Sequence, residues 1–359
     1  MKKLRNKSWK DRHARKKGLI EVYRRSRYGI VQTSPVGSRK YTVTANRKLA
    51  KNVYRGRVKE IIAPSNFSLY QNPNETLKYI EDIKIAVKNS MPVRIDMEQI
   101  EVLSIDTIMY FLAILKKLKV TGLNYSCSGS LPKNEECKHL LRASGFLNYV
   151  KSKDRRADLT HESNIVRIIS GQNSDGETAS KICSFVISKL NLTRLETFDL
   201  YIIIMELMSN TRLHAYINSS KFITDWYVFV YYLPEKKSVR FIFMDTGSGI
   251  PSTIRKRLLE PTKTLIGLNT HTNYIKSAMK GTYLRSRTGE SYRGTGLPTI
   301  NSLSQESYIK DLTIISNRGY YTETRRGDGD KWGDDDLNFG LDGTLFYWEM
   351  CKGEYNESD

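Results

Sequence analysis

Apolar positions give little pattern over residues 1–57, where Trp9–Arg25 reads as a helical stretch followed by extended chain. From Lys59 the pattern becomes that of a folded domain. Ile61-Ile62-Ala63-Pro64 reads as a strand, and Leu77, Ile80, Ile83 and Val87 share one side of a helix over Asn74–Lys88. Val93–Met97 alternates as a strand, Ser104–Lys117 is a second helix, Gly122–Ser128 a further strand and Glu135–Tyr149 a third helix. Strand and helix in alternation predict a small α/β domain, over residues 58–152, with a partly parallel sheet.

A second series begins after Asp154. Asn164–Ser170 reads as a strand, Thr178–Leu190 as a helix and Tyr201–Ala215 as an apolar helix; Trp226–Leu233, one of the longest apolar runs, and Ser238–Met244 then read as strands. A helix starts at Pro298–Leu303, and Leu312–Ser316 is expected to pair with Leu345–Met350 across an insertion, residues 317–342. The fold class is therefore α/β (α+β), in three segments: 1–57, 58–152 and 153–359.

The candidate chemistry lies in the third segment. Asp245-Thr246-Gly247-Ser248-Gly249 follows a strand, and Gly247 and Gly249 let backbone approach a flat ring while Asp245 accepts a hydrogen bond from an exocyclic amine. Upstream, Glu206, Asn210 and His214 are each four residues apart and share one helix face. Asparagine is a poor choice for the middle of an apolar helix, and an oxygen that binds nucleotide-borne Mg²⁺ is a reason to keep it. The plain alternative is a polar face with Glu206 and His214 in local pairs. Downstream, Gly294, Thr295, Gly296 and Leu297 precede a helix, where free N–H groups and the helix dipole favour phosphate. Gly343-Thr344 opens the last strand.

These boxes, in this order, resemble the GHKL nucleotide-binding fold of histidine kinases, anti-sigma-factor kinases, gyrase-type topoisomerases and heat-shock chaperones, over roughly Ser163 to Lys352. The resemblance implies a mixed sheet with helices on one face, and ATP and Mg²⁺ as ligands. It implies that Asn210 coordinates Mg²⁺, that Asp245 reads adenine with Gly247 and Gly249 shaping the pocket, and that Gly294, Thr295, Gly296 and Leu297 hold phosphates. It further implies Gly343 and Thr344 as a pocket wall, His214 beside the ligand, Glu206 as catalytic base, and residues 251–292 as an ATP lid carrying Lys256, Lys263, Lys276, Lys280, Arg285 and Arg287. Thr211, Arg212 and Pro298 depart from the usual pattern without removing a ligand. The Glu206–Tyr216 stretch is most similar to the anti-sigma kinase type. No histidine on a dimerising helical hairpin precedes the ATP segment, which sets the histidine-kinase reading aside.

The first α/β segment resembles a STAS domain, on Asp96 after a strand, Asp106-Thr107 at a helix start and the Leu140–Phe146 ending. That resemblance makes Thr107 a candidate phosphoacceptor, against the commoner role of a hydroxyl as helix cap.

Charge changes the picture only at the N-terminus. Residues 1–60 hold 20 Lys and Arg against Asp11, Glu21 and Glu60, a local +17 of the whole-chain +20. Arg12, Arg15, Lys16, Lys17, Arg24, Arg25 and Arg27 are interleaved with Trp9, Tyr23 and Tyr28, a mixture suited to phosphate contact and base stacking. A tail docking on an acidic partner or on anionic lipid has the same composition. In the insertion, Asp328, Asp330, Asp334, Asp335 and Asp336 lack EF-hand spacing and read as an acidic hairpin tip. Cys127, Cys137, Cys183 and Cys351 show no metal or redox spacing, and no apolar run reaches the ~20 residues of a membrane helix. The expectation is a cytoplasmic ATPase or Ser/Thr kinase of regulatory type, the alternative a non-catalytic ATP-gated binding switch. Expected partners are ATP, a regulatory protein, a second copy of the chain and, through residues 1–57, nucleic acid, with no membrane.

Overall fold

The computed structural model describes residues 58–120, 127–150, 163–215, 225–255, 269–281, 296–306, 308–323 and 336–352, all within one compact unit, Val58–Asp359. Strands β1 (Lys59–Ile62), β3 (Val93–Asp96) and β5 (Cys127–Gly129) form a parallel sheet in the order β1-β3-β5, and β2 (Asn66–Phe67) pairs in parallel with β4 (Val102–Leu103). Helix α1 (Pro73–Lys88) opens with a proline at its first position, where no N–H is needed, and buries Leu77, Ile80, Ile83 and Val87. Helix α2 (Ile105–Val120) follows β4, and α3 (Glu135–Ala143) is capped by Asn134, whose side chain accepts from the Cys137 N–H. The third helix thus stops short of Tyr149. Gly145 turns the chain left-handed, φ +82°, into a single 3₁₀ turn.

The second sheet has six strands in the order β10-β9-β11-β8-β7-β6: β6 (Ile165–Gly171), β7 (Trp226–Leu233), β8 (Ser238–Asp245), β9 (Ile309–Asn317), β10 (Gly319–Glu323) and β11 (Leu341–Cys351). A mixed sheet was expected; every pairing here is antiparallel, and parallel pairing is confined to the first region. Helices α4 (Gly176–Leu190), α5 (Phe198–Ala215), α6 (Ile250–Arg255), α7 (His271–Lys280) and α8 (Gly296–Leu303) share one core with one face of this sheet.

Side chains alternate across the strands. Val228, Val230, Phe241, Phe243, Phe346 and Trp348 belong to the helix-covered face. Tyr227, Phe229, Ile242, Met244 and Leu345 belong to the other, and that face is not bare. It shares a continuous core with Leu77, Ile80, Met109 and Leu112 of α1 and α2. Helix α2 accordingly has every residue from Ile108 to Ile114 at 3 % exposure or less. A helix apolar all round is a buried helix, and α2 is covered by α1 and by β7 and β8 of the six-stranded sheet. The segments read as separate domains are fused through one core.

Three further expectations change. Part of the lid segment, α7, is a packed helix: Tyr274, Ile275, Ala278 and Met279 are buried, Thr270 caps it and Gly281 ends it. Lys256, Lys263, Arg285 and Arg287 lie outside the described residues. The insertion contributes β10 and the buried Leu337 and Leu341; of its acidic cluster only Asp336 is described, accepting from the Thr272 N–H at 3.2 Å. Thr107 is fully buried, its hydroxyl accepting from the Leu69 N–H at 2.8 Å and contacting Ser104 Oγ at 3.0 Å. The neighbouring Asp106 carboxylate accepts from the Tyr70 N–H. Thr107 is a tie between α2 and the loop after β2, closed to a phosphoryl donor in this fold. No described helix is long and apolar enough to cross a membrane.

Candidate functional site

Helix α5 carries Glu206 and Asn210 one turn apart, held to the sheet by Ile203, Ile204 and Leu207. Helix α8 begins against them at Gly296. A Cβ there would stand 2.5 Å from Glu206 Oε2 and 3.2 and 3.3 Å from the two amide atoms of Asn210. Glycine keeps that space open. The Asn210 Nδ2 is buried and, among the described residues, has no hydrogen-bond partner. An unpaired buried donor costs ~1–3 kcal/mol, which a ligand could recover. Leu297 packs at the edge of the same core. Gly294 and Thr295 lie outside the described residues, as does the side chain of His214, whose backbone continues α5.

Asp245 ends β8, opposite Trp226 on β7 and Thr344 on β11. The Gly247 N–H donates to its Oδ1 at 2.7 Å. Burial pushes the carboxyl up to about 6, against the opposing pull of the Gly247 and Thr344 donors. A carboxylate has lone pairs for about four donors, so beside these bonds it can still accept from a ligand amine.

The turn after Asp245 is braced from three sides. The Thr246 N–H donates to the Asp225 carbonyl and its hydroxyl accepts from the Asp225 N–H, both at 3.0 Å. Ser316 Oγ accepts from the Ile250 N–H at 2.8 Å. Asn317 accepts from Ser252 through its Oδ1 and donates to the Ser248 carbonyl at 3.1 Å. Gly249 has φ +82°, and a Cβ on it would lie 2.6 Å from Asn317. Gly343, at φ +102°, approaches so closely that a Cβ would fall 1.9 Å from the Asp245 carbonyl oxygen. Both positions require glycine on two counts, conformation and contact.

The structure therefore gathers Glu206, Asn210 and Gly296 at one pole, and Asp245, Gly247, Gly249, Gly343 and Thr344 at another, on a single core containing Phe243 and Ile250. Asp225, Ser316 and Asn317 had no role in the sequence reading. Residues 317–342 read as an insertion in the sequence; the Asn and Gly of Asn317-Arg318-Gly319 are the turn signal that could have marked this corner, where Asn317 adopts φ 51°, but nothing in the sequence announced its side-chain bonds. The chain matches no protein-family model and no curated protein.

Proposed function

We propose that this chain is an ATP- and Mg²⁺-binding regulatory protein of the GHKL type, with a STAS-like region fused behind the sheet. The reading carries ATP hydrolysis or phosphate transfer to a Ser or Thr side chain as its activity. One observation supports it above the others: Glu206, Asn210 and Gly296 meet at a point where the Asn210 Nδ2, a donor suited to a phosphate oxygen, is buried and without a partner among the described residues. The residues fit the ligand. Asp245 offers an acceptor to the adenine amine, while Glu206 and Asn210 offer oxygens of the kind Mg²⁺ takes one or two at a time. When bound, the metal and phosphates would neutralise one another's charge. Glu206 would orient and deprotonate the attacking water or hydroxyl, and Gly296 would let phosphate oxygens approach the α8 backbone.

The alternative, an ATP-gated switch without turnover, draws on the shared core that places α2 directly behind β7 and β8. Phosphate release and nucleotide binding, measured in parallel on the wild type and Glu206→Gln, separate the two. Turnover lost with binding retained supports the enzyme. Binding without turnover in the wild type supports the switch, and absence of ATP binding overturns both.

A further inference from the structure

The first and last thirds of the chain meet at Asp342, beside the candidate site. Along β11, Leu341 pairs with Asn317 of β9, but the next pair is Thr344 with Ser316. Three steps on β11 thus match one on β9, leaving Asp342 and Gly343 as a bulge. Bulges re-aim the residues that follow them. Here those residues are Gly343, lying against the Asp245 carbonyl, and Thr344, paired across the sheet with Asp245.

The bulge is held from outside its own sheet. Lys84 of α1 reaches Asp342 Oδ1 at 3.1 Å, and Lys117 of α2 reaches Oδ2 at 3.1 Å. The Asp342 N–H, turned out of the ladder, donates to the hydroxyl of Tyr110 on α2, itself 1 % exposed. Burial alone would raise the Asp342 carboxyl; Lys84 and Lys117 hold it below its ordinary value and keep it charged. A second tie runs to the other flank. Lys116 of α2 lies 3.9 Å from Asp225, whose backbone pairs with Thr246, the residue after Asp245.

We propose that Asp342 is a positioning residue for nucleotide recognition: gripped by Lys84, Lys117 and Tyr110 of the STAS-like region, it fixes the bulge that sets Gly343 and Thr344 against Asp245. The STAS-like region is then a built-in part of the pocket's back wall rather than a separately tethered module. The inference rests on the nucleotide-binding reading, and its test has one arm that does not.

The variants are Asp342→Asn, which removes the charge at equal size, Tyr110→Phe, which removes only the hydroxyl, and Lys117→Arg, which keeps the cation. Hydrogen exchange in the ligand-free protein reads the bulge directly. Asp342→Asn and Tyr110→Phe should speed exchange at Gly343–Leu345 and Thr246–Gly247, while Lys117→Arg stays near wild type. Calorimetric titration reads the consequence. Asp342→Asn should lose about ten-fold in ATP affinity, the size of a coupling carried through one packed element, and narrow the preference for ATP over GTP. A merely structural tie would lower the melting midpoint and leave exchange at those residues and the ATP-to-GTP ratio unchanged, and that result overturns the proposal. No ATP binding by the wild type would sink the nucleotide reading, and with it the recognition role of Asp342; the exchange arm would still decide whether the clamp holds the bulge.

Discussion

At Asp245 the ligand-free protein holds a carboxyl whose pKa is pushed by burial up to about 6, from 3.8. A raised carboxyl favours the fold only while protonated. That contribution is present below pH ~4, fades as pH rises through about 6 and is gone above it, a difference of roughly 3 kcal/mol. Asp245→Asn should therefore raise the melting midpoint of the ligand-free protein at pH 7.5, with the gain vanishing near pH 4. A gain that is equal at both pH values would contradict the assignment. The same substitution should weaken ATP binding by about 1–3 kcal/mol, since the amine loses a charged acceptor. Asn210→Ala makes the complementary statement at the other pole. It removes a buried amide whose Nδ2 has no partner among the described residues, so the ligand-free protein should lose little stability while the Mg²⁺ dependence of nucleotide binding disappears, which titrations with and without Mg²⁺ would show.

Most elements were legible because their periodicity is strong. β7 runs from Trp226 to Leu233, the bounds of its apolar run, and the buried stripe of α1 is the predicted one. The errors have physical causes. Alternation cannot tell which strands pair, so the all-antiparallel sheet was hidden. The segment at 271–280 carries a Thr270 cap, the apolar Tyr274, Ile275, Ala278 and Met279, and a closing Gly281, but the family resemblance outweighed that local pattern. The apolar run at Ile108–Leu115 is too short to cross a membrane, and its meaning is that α2 is buried on all sides. Leu112→Ala, at the centre of that helix, should cost about 2–5 kcal/mol. Thr107→Val tests the corrected role of its hydroxyl. It should destabilise by about 1–3 kcal/mol by leaving the Leu69 N–H unpaired, as thermal or chemical unfolding would show.

At the scale of the molecule, fusion of the two regions through one core means that Leu112→Ala should shift a single cooperative unfolding transition, seen by calorimetry, rather than the first of two. Residues 1–57 lie outside the described structure, and their proposed role rests on charge and aromatics. If they bind nucleic acid, the affinity should fall with salt at a log–log slope near −0.9 per duplex phosphate neutralised, and truncation should remove it without affecting ATP. The central claim, that Asp245 and Asn210 mark the two ends of one adenine-nucleotide site, is tested most directly by isothermal titration of the full chain with a non-hydrolysable ATP analogue and its GTP counterpart, in the presence of Mg²⁺. The account predicts saturable binding of the ATP analogue, weaker binding of the GTP analogue, and loss of that preference in Asp245→Asn. Equal affinity for both nucleotides, or an Asn variant indistinguishable from wild type, would contradict it.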